Sequence, residues 1–415
     1  MQKDRLHVLF LSELFPNPAW PAFGIFVEHQ AYHLSPHCDV TVVAPVRVFP
    51  HLRLWKHVFA PQRFWAEWRK WRADLAQIPS QGEVNGMPVF YPRYTSPPRQ
   101  GFHGLWGFFA YPCLRGQLMA LHRRYNFDLV HAHYASPCGV IALLARGWMR
   151  VPIVLSIHGA DVTYTARQNS ISATVVRWVF RNVEAIIANS TWTARQIVRY
   201  GGNPEKVRIV GLGGDVPKET CWAVPSSQDS VVSLLSVGYL EERKGHAYVL
   251  RAIKQLRDEG YRLHYTIVGD GSRRESLEAL AETLDIAAIV SFEGYKPHSE
   301  VWPYFAGCNI FVLPSWNEAF GVVYIEALGL GKPVVGCEGE GGPDDLSSLG
   351  DCIELVKPRN VESLVQALKR LLDDPERRQR MGETGREIVA ERFTWERNAA
   401  NTLAIYKQML GSRYA

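Results

Sequence analysis

"NIFVLPSWNEAFGVVYIEALGLGKPVVGCE", residues 309 to 338, holds two short apolar runs with a helix-length segment between them. "NIFVLPS" reads as a buried strand ended by Pro314, and "KPVVGCE" as another. Phe320 to Leu330 reads as a helix of about three turns. Strand, helix and strand at this spacing form a βαβ unit, which predicts a parallel sheet. Glu318 falls in the strand-to-helix loop, and Glu326 lies a turn or more inside an otherwise apolar helix. A cap or a dipole partner explains a carboxylate at a helix entrance. It does not explain Glu326, whose charge needs a partner.

The same alternation runs through most of the chain. "LHVLFLS", "DVTVVAP", "DLVHAHY", "PIVLSIHG" and "EAIIANS" precede a Gly-, Pro- and Ser-rich break at residues 210 to 230. "VVSLLSVG", "LHYTIVGDG", "AIVSFEG" and the quoted unit follow it. Two such sets predict an α/β chain of two doubly wound, Rossmann-like domains, residues 1–212 and 213–394. "FTWERNAANTLAIYKQML" has a helical pattern and is expected to return to the first domain, so that residues 395–415 complete it. The carboxyl ends of both sheets would face a cleft, where ligands bind in such folds.

A length of 415 residues suits two domains, and 47% hydrophobic with 21% charged residues suits a globular protein. The net charge of +5 favours anionic ligands or surfaces without implying nucleic acid. The seven cysteines include no C-x-x-C pair, so they signal neither a zinc site nor a disulfide framework and point to a reducing compartment. The apolar run in "MQKDRLHVLFLSELFP" is shorter than a signal-peptide core, and no run is long enough to cross a membrane. A cytoplasmic location is expected, with any membrane contact peripheral. The sequon "NST" at 189 to 191 falls at a strand end and is discounted for glycosylation.

The chemistry collects in the second half. In "AFG" the N–H groups of Gly321 and Val322 stand at a helix N-terminus, a ready phosphate site. "EERKGHAYVL" places Arg243 and Lys244 before another helix, which suggests a diphosphate clamp. "VGDGSRRESL" has G-x-G without the third glycine of a dinucleotide fingerprint. A substrate with a ribose, a diphosphate and a sugar would use all of these. Glu326 would then accept from both ribose hydroxyls and Glu318 from the sugar, each charge-assisted bond worth about 1.5–3 kcal/mol.

"PSWNEAFGVVYIEALGLGKPVV" resembles the E-x7-E signature of family-4 retaining glycosyltransferases of the bacterial polysaccharide and glycolipid type, which have the GT-B fold of two facing Rossmann-like domains. "FPNPAWPAFGIFVEHQAYHL", "SIHGADV", "ANSTWTARQI", "SVGYLEERKGH" and "FTWERNAANTLAIY" are similar to further family motifs in the same order. The resemblance implies that Glu326 binds the nucleotide ribose and that Glu318 holds the donor sugar near its reacting carbon. Backbone amides of Phe320, Gly321 and Val322 would meet the donor, and Arg243 and Lys244 would neutralise the diphosphate leaving group. It further implies His158 beside the donor sugar from across the cleft, Gly24 letting the first loop approach the phosphates, and Gly271 and Tyr295 lining the base pocket. Where the family often has Arg after the Val-Gly of the phosphate strand, this chain has Tyr239. Some of the clamp's charge is therefore missing, and Arg243 is the residue placed to compensate.

The function expected is transfer of a sugar from a nucleotide-diphosphate sugar, UDP being the family's commonest nucleotide, to a saccharide or lipid-linked acceptor. The family implies retention, by front-face attack. No metal or cofactor is expected: protein cations and helix amides would stabilise the leaving diphosphate. Consistent with that, the chain has no D-x-D sequence, the carboxylate pair with which the other large glycosyltransferase fold holds a divalent ion. A sugar-nucleotide epimerase or phosphorylase of the same fold would need an extra acid/base set or a cofactor lysine. A non-catalytic nucleotide-sugar binding protein would not need Glu318, Glu326, Lys244 and His158 together.

"HLRLWKHVFAPQRFWAEWRKWRADL", residues 51 to 75, interleaves Arg53, Lys56, Arg63, Arg69, Lys70 and Arg72 with aromatics including Trp55, Phe59, Trp65 and Trp68. A helix from Pro61 would put Phe64, Trp68 and Trp71 on one face. A basic amphipathic helix with tryptophans suits an anionic membrane surface. Packing of those aromatics into the first domain is the competing expectation.

Overall fold

A computed structural model of the chain describes residues 5–48, 61–217 and 231–411. Most of the 210–230 break and the first ten residues of the 51–75 stretch, with Arg53, Trp55, Lys56 and Phe59, lie outside the described residues. The chain forms two compact units, Met1–Val210 with Trp395–Ala415, and Gly211–Thr394.

The first unit holds an eight-stranded sheet. Its order is Val207–Ile209, Ala185–Ala188, Ile153–Ile157, Leu129–His133, His7–Leu11, Asp39–Val43, Met87–Phe90 and Gln81–Val84. Neighbours are parallel except Gln81–Val84 and Met87–Phe90, an antiparallel hairpin turned by Asn85 and Gly86, both at positive φ. Its central strands are buried on both faces, which is why Ile153–Ile157 reads "IVLSI" with no exposed position. The helix Trp395–Leu410 packs on Ile25–Leu34, where the Gln30 amide donates to Asn398 Oδ1 at 2.9 Å and Thr402 Oγ1 at 3.2 Å. Tyr406 reaches the sheet and lies 2.6 Å from His131 Nδ1.

The second unit holds six strands, in order Val290–Gly294, Leu263–Val268, Val232–Val237, Ile310–Val312, Val334–Cys337 and Ile353–Val356, all parallel. All ten strands named from the sequence are present. The helix of the quoted unit is shorter than expected, Val322–Gly329 rather than 320 to 330. Gly321 sits at φ 78 and ends the helix there, and a Cβ on it would meet the Tyr324 ring at 2.5 Å.

"ANST" forms a helix cap. Ser190 Oγ accepts from the Thr193 N–H at 3.0 Å, a cap worth about 1 kcal/mol. Asn189 is buried and its Oδ1 accepts from Thr193 Oγ1 at 2.7 Å, which takes the sequon asparagine into the interior.

The stretch 61–77 is a helix, Pro61–Gln77. Phe64, Trp68 and Trp71 form a ladder on one face, with ring centroids 6.2 and 5.1 Å apart. That face is half-buried, and Trp71 packs against the first unit's core. The aromatic stripe therefore turns toward the protein. Trp65, 54% exposed, stands outside with Arg63, Arg69, Lys70 and Arg72.

Candidate active site

In the second unit the strand order reverses between Val232–Val237 and Ile310–Val312, neighbours that continue in opposite directions across the sheet. Loops leaving the carboxyl ends of such a pair diverge and open a ligand site. One of these loops carries Arg243 and Lys244, the other Glu318. Trp316 N donates to Arg243 O at 2.9 Å and ties the two loops together.

Lys244 is 8% exposed, and its Nζ donates to Glu318 Oε2 at 2.6 Å. Arg243 stands 3.7 Å from the same oxygen, and Ser315 Oγ donates to it at 3.2 Å. Burial pushes the Glu318 carboxyl up, but Lys244 and then Arg243 and Ser315 outweigh it, so Glu318 titrates below the usual range and is an anion at neutral pH. Lys244 keeps two further N–H donors for a ligand oxygen. Behind Glu318, Glu340 accepts from the Glu318 N–H at 2.8 Å. Burial raises the Glu340 carboxyl, partly offset by bonds from the Asn317 and Glu318 amides. The amides of Phe320, Gly321 and Val322 have no backbone or side-chain acceptor among the described residues, and they open the eight-residue helix Val322–Gly329.

Glu326, 5% exposed, has a partner: Oε1 lies 2.7 Å from His298 Nε2. That bond raises the His298 pKa above its ordinary value against the opposing effect of burial, with help from Asp215. The sequence reading missed His298 because it lies in the loop "KPHSE" without a motif of its own. The unaccounted charge of Glu326 was the available signal.

Tyr239 and Tyr295 follow the strands Val232–Val237 and Val290–Gly294 and are 67% and 65% exposed, both at the carboxyl ends of the sheet. Gly271 follows Leu263–Val268 at the same end, where a Cβ would meet Leu240 O at 2.6 Å. Thus Arg243, Lys244, Glu318, Phe320, Gly321, Val322, Glu326, Tyr239, Gly271 and Tyr295 all belong to one edge of one sheet.

Gly24 and His158 belong to the other unit. Gly24 precedes the helix Ile25–Leu34 at φ 72, and a Cβ there would meet the Leu14 carbonyl at 2.4 Å, so only glycine lets the loop close on residue 14. His158 follows Ile153–Ile157, and its Nε2 lies 3.1 Å from His133 Nδ1, with the rings parallel to within 3°. His133 stacks in turn on His131, at 4.4 Å between centroids. Burial depresses all three, His131 and His158 to about 3, so they are neutral near pH 7. Among the described residues His158 Nδ1 and Asp161 Oδ2 are buried without a partner. Burial also raises Asp161 to about 7.

The family models described as "Glycosyltransferase Family 4" and "Glycosyl transferases group 1" match residues 79–216 and 225–388. D-inositol 3-phosphate glycosyltransferase of Streptomyces bingchenggensis is 31% identical over 316 residues, 70% of this chain and 68% of that protein. The chain belongs to the group 1, family-4 glycosyltransferases. The putative teichuronic acid biosynthesis glycosyltransferase TuaC of Bacillus subtilis is 27% identical over 379 residues, 88% of this glycosyltransferase and 89% of TuaC. Sucrose-phosphate synthase from Thermosynechococcus elongatus superposes with a TM-score of 0.75 at 20% identity, covering 98% of this chain and 99% of that one. Anabaena HepE, solved with UDP and glucose, gives 0.68 at 19% identity, covering 96% and 99%. These likenesses establish the GT-B fold. No helix among the described residues is long and apolar enough to cross a membrane.

Proposed function

We propose that this glycosyltransferase takes its sugar from a nucleotide-diphosphate sugar, a UDP-sugar, and transfers it with retention of configuration to a saccharide or lipid-linked acceptor in cell-surface polysaccharide or glycolipid synthesis. The observation that carries this reading is the Lys244–Glu318 ion pair at the switch point of the second unit. Four ligand groups match the residues around it. A diphosphate suits Lys244, Arg243 and the amides of Gly321 and Val322. Glu326, held by His298, suits the two ribose hydroxyls, and Tyr295 and Gly271 suit the flanking base. Glu318, kept anionic, suits a sugar carbon that gains positive charge as the glycosidic bond breaks.

Charge then develops on the leaving diphosphate where Lys244 and Arg243 already stand, so little reorganisation is needed. These cations support a metal-independent reaction. His158, neutral at pH 7, serves as a hydrogen-bonding group toward the donor sugar rather than as a cation, and Gly24 lets its loop approach the phosphates. One relative's name specifies teichuronic acid biosynthesis, which supports a saccharide acceptor. Trp65 and the exposed basic residues of Pro61–Gln77 support peripheral contact with an anionic membrane.

The test is thermal protection of the purified protein by a panel of nucleotide sugars, followed by product analysis by NMR. A tight donor at 100 times its dissociation constant adds about 2.7 kcal/mol. No protection by any nucleotide sugar, or an inverted product, would contradict the reading.

A further inference from the structure

The first unit has its own switch point, between His7–Leu11 and Leu129–His133. A cavity of about 450 Å³ lies there, lined by Glu13, Tyr134 and Ala160 from three adjacent strand ends. Trp20, Trp71 and Trp106 give it apolar walls. Glu13 Oε1 accepts from the Tyr94 hydroxyl at 2.8 Å, and no donor reaches Oε2 among the described residues. A carboxylate among indoles is the chemistry that recognises a sugar ring, whose C–H faces pack on aromatics while its hydroxyls donate to the acid.

Arg99 also lines this cavity, and it is shared with a more open groove of about 700 Å³ that includes Arg167 and Gln168. Arg99 lies over the Tyr164 ring at 5.1 Å, and neither arginine has an ion-pair partner among the described residues. The wider setting is strongly basic. Residues 84–183 hold ten arginines, no lysine, and only Asp128 and Asp161 as acids, a net +8, whereas the whole chain carries +5. The remaining 315 residues are therefore net −3. Planar guanidiniums suit a phosphate better than ammonium groups do. The buried His103, driven to about 3 by burial and then by Arg99 and Arg47, registers the same positive field.

We propose that this cavity and groove form one acceptor site for a glycosyl phosphate, with the sugar against the tryptophans and Glu13 and the phosphate between Arg99 and Arg167. The proposal rests on the glycosyltransferase reading and specifies the class of its acceptor. A free sugar phosphate and a polyprenyl-linked one share this chemistry.

The test is ligand-observed NMR on the full chain. The probes are the 1-phosphates of glucose, galactose, mannose and N-acetylglucosamine, the matched methyl glycosides, and inorganic phosphate. At least one sugar phosphate is expected to bind about ten-fold or more tightly than its methyl glycoside and than inorganic phosphate. Arg99→Ala with Arg167→Ala should abolish that preference while UDP still protects the protein thermally. Trp20→Ala should weaken the sugar phosphate but not inorganic phosphate. Competition by a polyprenyl-phosphate sugar in neutral micelles identifies the source: displacement of the free probe supports a membrane-borne acceptor, and its absence a soluble one. Equal affinity of phosphate and methyl forms, binding of neither, or an unchanged preference in the double variant overturns the proposal. Loss of UDP protection in the wild type overturns the donor reading instead and leaves the cavity measurement standing.

Discussion

Lys244 and Glu318 form one ion pair at 2.6 Å across two strand-end loops, so the cation placed for the leaving diphosphate and the anion placed for the donor sugar hold each other in position. Each side chain is about nine-tenths buried. Removing either partner leaves a charge that the interior solvates poorly.

The first prediction follows from this coupling. Lys244→Ala and Glu318→Gln should each lower turnover by about 10²–10³, because both act on charge that develops in the transition state. Combined, they should cost less stability than the sum of the singles, which a double-mutant cycle on thermal melts would read. Additive losses would mean that the pair is not coupled. The Glu318 contribution is present above its usual pKa of 4.5 and is lost as pH falls through its lowered folded value.

Glu326 should behave differently. Its bonds to a ribose would be equally present before and during reaction, so Glu326→Ala should raise the donor KM about ten- to a hundred-fold with a smaller effect on kcat. His298 adds a pH signature. Its folded pKa is raised by Glu326, so its stabilisation is full below about 6.5 and fades as pH rises through the raised value. The difference in Tm between wild type and His298→Gln should therefore be larger at pH 6 than at pH 9.

The strands were legible because parallel strands buried on both faces read as continuous apolar runs, as in "IVLSI" and "AIIA". Motif spacing placed Glu318 and Glu326, and the misfit of Glu326 in an apolar helix implied a partner. The identity of that partner was not legible, because His298 comes from a different strand-end loop, 28 residues away. The same limit hid Glu340 behind Glu318, and Glu13 bonded to Tyr94 in the first unit. Helical periodicity found the stripe Phe64, Trp68 and Trp71, but periodicity reports a face and not what it faces. The core beneath Trp71 decides that.

The stacked histidines predict acid lability. His131 and His133 are buried and His158 is half-buried, and all three are neutral, with folded values well under the ordinary 6.5. The unfolded chain binds protons that the folded one refuses, so stability falls as pH drops below about 6.5, by up to about 1.4 kcal/mol per pH unit for each histidine. Tm should be nearly flat from pH 8 to 7 and decline toward pH 5. A flat profile to pH 5 would contradict the buried ladder.

Metal removal gives a fourth expectation. If Lys244, Arg243 and the Gly321 and Val322 amides stabilise the leaving diphosphate, excess EDTA should leave turnover within about two-fold of the untreated enzyme, since these donors alone are worth several kcal/mol. Complete loss restored by magnesium would show that the positive charge the family resemblance leads one to expect at Tyr239 is supplied by an ion instead.

The last prediction concerns membrane contact. Because Trp71 packs on the core and lines the first unit's cavity, changing it would confound binding with folding. Trp65 is free of that objection, being 54% exposed, and Arg63, Arg69 and Arg72 stand exposed on the same helix. Each basic side chain near an anionic surface adds about 1 kcal/mol, and an indole at the headgroup level adds apolar burial. Wild type should therefore sediment with anionic vesicles, less so at high salt, and hardly with neutral ones. Trp65→Ser with Arg69→Gln and Arg72→Gln should weaken that binding at least ten-fold while leaving Tm and donor protection unchanged, since none of the three lines the donor site. Equal sedimentation of variant and wild type would remove this helix as the contact surface.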